Sequence, residues 1–256
     1  MNVVDIVTAL RQAGCVFAED EAQVLVESAR TTEQLQVLLA RRVAGEPLEQ
    51  VVGWAEFCGL RIQVEPGVFV PRRRTEFLAD RAIAAARGPS PTVVELCCGS
   101  GAVSAAVLAA LPGALLHAAD IDAAATRCAR RNLPGAAVHL GDLYAALPPR
   151  LSGQVDVLVA NAPYVPTDAV ALMPPEAREH EPRVALDGGP DGLDVHRRIA
   201  TSAAIWLARD GVLLIEVSAA QVPTATAIFA AAALDVEVVH SHDLDATVLL
   251  GRLHRS

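Results

Sequence analysis

The chain has 256 residues, 52% of them apolar, enough for one well-buried domain of about 180 residues plus a small accessory one, and no stretch approaches the ~20 unbroken apolar residues that span a bilayer. All 21 basic residues are arginine, which excludes a Walker-type phosphate-binding lysine and Schiff-base catalysis. The net charge is −9, with 10 Arg against 12 acids in residues 1–91 and 11 Arg against 18 acids in residues 92–256, a balance that argues against a stably bound nucleic acid.

The first segment, MNVVDIVTALRQAG, carries Asp5 and lacks a basic region followed by an apolar core, so no secretory signal is expected and a cytoplasmic location is. Up to about residue 44 apolar positions recur at three and four residue intervals (Val4, Ile6, Val7, Leu10; Val24, Leu25; Leu35, Leu38, Leu39), with Thr31 placed as an N-cap and Gly45 as a stop. This predicts a helical domain over residues 1–50. Over residues 51–73 the pattern changes to β-prone runs, Leu60, Ile62, Val64 and then Val68, Phe69, Val70, around a Pro66-Gly67 turn, which predicts a hairpin linker. A helix from about Thr75 to Arg87, ended by Gly88 and Pro89, opens a larger domain over residues 74–256.

From Thr92 strands and helices alternate: strands over 92–96, 114–119, 136–140, 155–160, 212–217, 236–240 and 247–253, with helices near 102–111, 122–132, 193–208 and 219–232. Such a chain gives an α/β, Rossmann-like parallel sheet with helices on both faces and ligands at the carboxyl ends of the strands. The last of the seven strands follows a short polar turn, Ser241 to Asp245, so it runs antiparallel to its neighbour.

The first turn of this domain, Glu95-Leu96-Cys97-Cys98-Gly99-Ser100-Gly101, joins a strand to a helix, and its glycines permit close approach of backbone to a ligand. A lone Gly-x-Gly is equally a structural turn. A dinucleotide site requires a third glycine where Ser104 stands, and Glu95 places an anion where a pyrophosphate would lie. S-adenosylmethionine has no phosphate and carries a sulfonium and an ammonium, so charge selects it as cofactor. Asp120, ending the second strand, can accept both ribose hydroxyls, with Ile121 beside it. Asp142 either accepts from the adenine amino group, with Leu143 over the ring, or is a helix N-cap, and Asp122 reads as an N-cap. The five cysteines include no Cys-x-x-Cys pair, so neither a disulfide framework nor a metal site is expected.

The fourth strand ends in Asn161-Ala162-Pro163-Tyr164. A nitrogen conjugated to a carbonyl or an aromatic ring is a poor nucleophile, so a transferase must hold its N–H groups and aim its lone pair at the methyl. The Asn161 side-chain oxygen and the Ala162 carbonyl can take the two N–H bonds, Pro163 fixes the turn and Tyr164 covers the planar group. Asn161 thereby also borders the cofactor.

These motifs resemble the HemK/PrmC family of protein-(glutamine-N5) methyltransferases. The resemblance covers nearly the whole chain: Gly45-Glu46-Pro47-Leu48 through Gly53 and Phe57, Val70-Pro71-Arg72-Arg73-Arg74-Thr75-Glu76, the Glu95–Gly101 loop, Asn161–Tyr164, and Glu181-Pro182-Arg183-Val184-Ala185-Leu186-Asp187-Gly188-Gly189. It implies a class I S-adenosylmethionine-dependent methyltransferase domain, a small N-terminal substrate-recognition domain, and methylation of the Gly-Gly-Gln glutamine of peptide-chain release factors. Two departures stand out. Ala162 replaces the family's first proline but keeps its carbonyl, and Arg72-Arg73-Arg74 replaces Arg-Pro-acid, either altering the protein substrate or forming a solvated run. A nucleic-acid adenine or guanine N-methyltransferase and a non-catalytic S-adenosylmethionine- or release-factor-binding protein are the rival readings.

Overall fold

The computed structural model describes residues 2–253. Helices α1 (Val3–Gln12), α2 (Ala18–Ser28), α3 (Thr32–Val43) and α4 (Leu48–Val52) pack around Ile6, Leu10, Leu25, Leu38, Leu39 and Val51, a cluster of their own. Thr31 caps α3 by accepting from the Gln34 amide at 3.2 Å, and Gly45 follows the helix with φ 97°, as its place in the sequence predicts. Helix α4 has no counterpart in the apolar periodicity. It is a single turn between Pro47 and Gly53, too short to show a period.

The linker contains a hairpin, but not around Pro66-Gly67. Strands β1 (Trp54–Phe57) and β2 (Leu60–Gln63) pair antiparallel across Cys58-Gly59, whose φ values of 50° and 71° put both central residues in the left-handed region. Such a turn matches the twist of its flanking strands, and a cysteine in it carries none of the Asn-Gly signal that would mark it. Pro66-Gly67 closes a separate turn, with the Val68 amide bonded to the Glu65 carbonyl at 3.1 Å. The run Val68–Val70 is not a strand, because the Val70 amide is taken by the Glu181 side chain at 3.1 Å.

Helix α5 (Glu76–Ala85) leads to β3 (Thr92–Leu96), α6 (Ala102–Ala110), β4 (Leu115–Asp120), α7 (Ala123–Asn132), β5 (Ala137–Leu140) and β6 (Val155–Ala160). Then follow α8 (Pro175–His180), α9 (Asp194–Trp206), β7 (Leu207–Val217), α10 (Val222–Ala231), β8 (Leu234–Ser241) and β9 (Ala246–Leu253). The sheet order is β5-β4-β3-β6-β7-β9-β8, with β9 antiparallel to both its neighbours. The seven strands and the reversed last one agree with the sequence, and β9 lies between β7 and β8. Strand β7 starts earlier than expected: Leu207 pairs with Val155 and Val212 with Val157, so the intervening residues 208–211 are carried as an irregularity within one strand. The two faces bury separate apolar clusters, one around Leu96, Leu158 and Phe229 and the other around Val93, Val159 and Leu214.

The chain leaves β3 toward β4 on one side, while β6 lies on the other. The carboxyl ends of β3 and β6 therefore flank the point where the winding reverses, where open α/β sheets leave a crevice. Both sequence motifs open into it. Among the described residues no helix is long and apolar enough to cross a membrane.

Candidate active site

The crevice is an open cleft with about 1330 Å³ of empty space, part of it open to solvent. Its floor is the turn after β3. Cys97 and Gly99 adopt left-handed φ values of 56° and 53°, and the turn is fixed by the Cys98 amide on the Ala119 carbonyl (3.1 Å) and the Gly99 amide on Asp120 Oδ2 (2.8 Å). A strained non-glycine residue at a ligand edge is a recurrent feature of binding turns. A Cβ at Gly99 would meet no atom within 4 Å. Gly101 differs. It does not line the cleft, and a Cβ there would sit 2.8 Å from Leu133, so this glycine serves the packing of α6 against α7.

Glu95, Cys97, Cys98, Gly99, Ser100, Asp120, Ile121, Asp142, Leu143, Asn161, Ala162, Pro163 and Tyr164 all line the cleft. Glu95 is 2% exposed, and its Oε2 accepts from the Ser104 amide at 3.0 Å and from the Ser104 hydroxyl. Burial pushes its pKa up to about 8 against the pull of those bonds. Asp120 ties the turn together, accepting from Gly99 and, through Oδ1, from the Asp122 amide at 2.9 Å, and burial raises its pKa also. Asp122 caps α7 through the Ala124 amide at 2.8 Å, as expected. Asp142 is no cap: its side chain makes no capping bond and pairs with Arg198 at 2.6 Å, while Leu143 behind it holds φ 47°.

On the β6 side, the Asn161 amide nitrogen donates to Thr75 Oγ1 at 3.3 Å, which leaves the side-chain oxygen as an acceptor at the cleft. The Tyr164 hydroxyl donates to Glu216 Oε1 at 3.3 Å, and the Arg74 guanidinium lies 5.7 Å from the Tyr164 ring centre. Burial, with Glu216 adjacent, raises the Tyr164 pKa, so the phenol stays protonated. The segment after Glu181 folds back onto this turn: the Gly188 amide bonds to the Val165 carbonyl (2.9 Å), and the Thr167 hydroxyl bonds to Asp187 (2.7 Å).

The three arginines separate. Arg72 grips the buried Glu181 with two contacts of 2.7 Å, Arg74 approaches Glu216 at 3.4 Å, and Arg73 is exposed. Arg72 thus ties the linker to the segment that walls the cleft. Removing one partner of a buried ion pair costs ~3–5 kcal/mol, and since Arg72 is 33% exposed, water offsets part of that. Arg72→Ala is expected to lower unfolding free energy by about 2 kcal/mol, read as a shift of the urea midpoint at unchanged m-value. Arg198 and Glu216 carried no motif signal, and Arg74 and Thr75 lie in the Val70–Glu76 stretch without having been assigned to the site. Thr75 lies 86 residues from Asn161 in sequence, and only the fold brings them together.

A family model described as the methyltransferase small domain matches residues 59–174. The release factor glutamine methyltransferase of Streptomyces coelicolor is 42% identical over 183 residues, covering 70% of this chain and 65% of that protein, just under two thirds of its length. The release factor glutamine methyltransferase of Bradyrhizobium diazoefficiens is 32% identical over 246 residues, covering 94% of this chain and 80% of the relative. The chain belongs to the release factor glutamine methyltransferase family. Family membership makes it an S-adenosylmethionine-dependent methyltransferase. A 4-amino-L-phenylalanine/4-methylamino-L-phenylalanine methyltransferase of Streptomyces pristinaespiralis is 40% identical over 198 residues, covering 75% of this chain and 68% of that protein. A solved methyltransferase structure from Pyrococcus furiosus superposes with TM-score 0.57 at 17% identity, covering 83% of this chain and 95% of that one, which establishes the shared fold.

Proposed function

We propose that this member of the release factor glutamine methyltransferase family methylates the side-chain nitrogen (N5) of a protein glutamine, in the Gly-Gly-Gln motif of peptide-chain release factors. The observation that carries the reading is the pair of acceptors at the end of β6, the Asn161 side-chain oxygen and the Ala162 carbonyl, in one cleft with Glu95, Gly99 and Asp120.

The residues present fit S-adenosylmethionine. The Gly99 position offers the open space a ligand needs, and the Asp120 oxygens each hold one backbone donor and keep lone pairs for hydroxyls. Glu95 is a buried carboxylate suited to a cation. When bound, the cofactor supplies a methyl group activated by its sulfonium. The chain's own part is positioning and electrostatics. Asn161 and the Ala162 carbonyl hold the two N–H bonds of the glutamine amide and turn its nitrogen lone pair away from conjugation with the carbonyl. Ala162 contributes only a main-chain oxygen, so the missing proline costs rigidity and not an acceptor. The protonated Tyr164, its hydroxyl committed to Glu216, walls the planar amide and is not a base; the proton released at the methylated nitrogen passes to water.

The same reading assigns residues 1–50 to substrate recognition, 51–73 to a linker and 74–256 to catalysis, and places the protein in the cytoplasm. A free aromatic amine is the second acceptor to be tested, since the Streptomyces pristinaespiralis relative is nearly as similar as the others and Phe57, Phe69 and Met173 give the cleft apolar walls. Purified protein with labelled cofactor is offered release factors, tRNA, rRNA, duplex DNA and 4-amino-L-phenylalanine in parallel. One added methyl on the motif glutamine, located by mass spectrometry, is the expected result. Label confined to nucleic acid or to the free amine would overturn the assignment.

A further inference from the structure

Beyond β7 the chain passes through Ser218 to Gln221, the residue before α10, and the side chain of Gln221 is a buried amide that no step above uses. Every hydrogen-bonding valence of that amide is taken. Nε2 donates to the Tyr164 carbonyl at 2.8 Å and to the Asp191 carbonyl at 3.1 Å, while Oε1 accepts from the Ser218 amide at 3.2 Å and the Ser218 hydroxyl at 2.9 Å. A primary amide has two N–H donors and two lone pairs on its oxygen, so glutamine fills this position without remainder. Backbone packing adds to the fit. A Cβ on Gly192, whose φ is 78°, would overlap the Tyr164 carbonyl oxygen and stand 2.5 Å from Gln221 Nε2, and one on Gly188 would stand 2.5 Å from the Pro163 carbonyl oxygen. Residues 188–192 therefore lie directly against the two carbonyls that follow the Ala162 acceptor.

We propose that Gln221 is a positioning residue that holds the Asn161–Tyr164 turn in the geometry presenting its acceptors, an inference that rests on the reading of that turn given above. The turn is anchored at its start by β6, where Ala160 is in register with Leu96 and Ile215, and just past its end by the Val165 amide on the Leu186 carbonyl at 3.0 Å. Between these points its backbone has little support of its own. Pro163 has no N–H to give, and alanine at 162 leaves φ free. Among the described residues, Gln221 is the one side chain that hydrogen-bonds to the main chain of residues 161–164. Its second N–H, on Asp191, locks the turn to the loop that Gly188 and Gly192 press against it. Misplacing reacting groups by about 1 Å can cost about 100-fold in rate. A buried amide can thus govern the chemical step while leaving alone the cofactor floor, which is built at the ends of β3 and β4.

Gln221→Met keeps length and burial and removes both donors. Gln221→Glu keeps the oxygen that serves Ser218 and sets a second oxygen against the two carbonyls. Each is expected to lower kcat, expressed per bound cofactor, about 10–100-fold, with acceptor KM and cofactor Kd within about threefold. Counting bound cofactor counts folded sites, so unfolding cannot mimic the loss. Phe229→Leu, a buried change on the neighbouring α10, should lower the urea midpoint yet keep kcat per bound cofactor within about twofold. In an Asn161→Ala background Gln221→Met should cost much less than in the parent, because the main acceptor it positions is gone. The hydrogen bond itself is read from protein labelled with ¹³C at tyrosine carbonyls and ¹⁵N in valine. Of the two tyrosines only Tyr164 precedes a valine, so its carbonyl gives a single correlation, which should move in both Gln221 variants and stay in Phe229→Leu. Turnover within about twofold of the parent in both Gln221 variants, an equal loss with and without Asn161, or an unmoved Tyr164 carbonyl would each overturn the proposal. If the parent methylates another acceptor and no glutamine, the substrate reading fails instead, and the same variants are measured on that acceptor.

Discussion

Asn161→Ala is expected to bring methyl transfer down at least about 10²–10³-fold, the loss found when one preorganised hydrogen-bond partner of a reacting group is removed. The amide nitrogen has two N–H bonds to place, and Asn161 is the only side chain among the two acceptors proposed for them; the Ala162 carbonyl cannot hold both. Cofactor affinity should stay within about tenfold, roughly 1.4 kcal/mol, because Asp120, Glu95 and the Gly99 turn do not depend on Asn161. The fold should not suffer either, since the side chain's one hydrogen bond, to Thr75, is a long 3.3 Å. Equilibrium dialysis and single-turnover kinetics on the same preparation separate the two effects. A variant that binds cofactor normally and turns over at the parent rate would remove Asn161 from the chemistry.

What the sequence discloses here is what local chain geometry decides. The Gly99 turn, Asp120 at a strand end and the Asn161–Tyr164 turn are each built from consecutive residues, so pattern and spacing suffice to place them on one edge of the sheet. The antiparallel direction of β9 follows from the short turn before it. Its slot between β7 and β8 does not, because that depends on which edge of β7 is open. The hairpin was misplaced because Pro66-Gly67 carries the stronger turn signal, whereas Cys58-Gly59 makes the turn with φ values no composition rule expects. Arg72, Arg73 and Arg74 read as one cationic run, yet the roles of Arg72 and Arg74 are set by Glu181 and Glu216, more than a hundred residues away. Thr75 behaves likewise: it looks like the start of a helix until the fold sets it against Asn161. Asp142 shows the same limit, since a cap and an Arg198 partner are indistinguishable from the local sequence.

Affinity for S-adenosylmethionine is expected to rise with pH from about 6 to 8, by up to about tenfold per unit, the limit for release of one proton on binding. The cause lies in Glu95. The sequence suggests an open anion, but the side chain is buried against Ser104, and burial lifts its pKa from the ordinary 4.5 to about 8. Below that pH the unliganded protein carries Glu95 largely protonated. A cationic ligand beside the carboxylate favours the charged form, so binding must expel the proton, and it becomes easier as the medium does part of that work. Linkage fixes a second sign: a carboxyl group whose pKa is raised by folding stabilises the native state fully below its unfolded value, and that contribution is lost as pH climbs toward 8. Unliganded Glu95→Gln should therefore be more stable than the parent at pH 8 to 9, and its affinity for the cofactor should be weaker and nearly flat across the same range. Titration calorimetry in buffers of different ionisation enthalpy counts the proton directly. S-adenosylhomocysteine, which keeps the ammonium but not the sulfonium, identifies the cation responsible: an unchanged slope assigns it to the ammonium. A flat profile for the parent with both ligands would mean that Glu95 stays with Ser104 and takes no part in holding either.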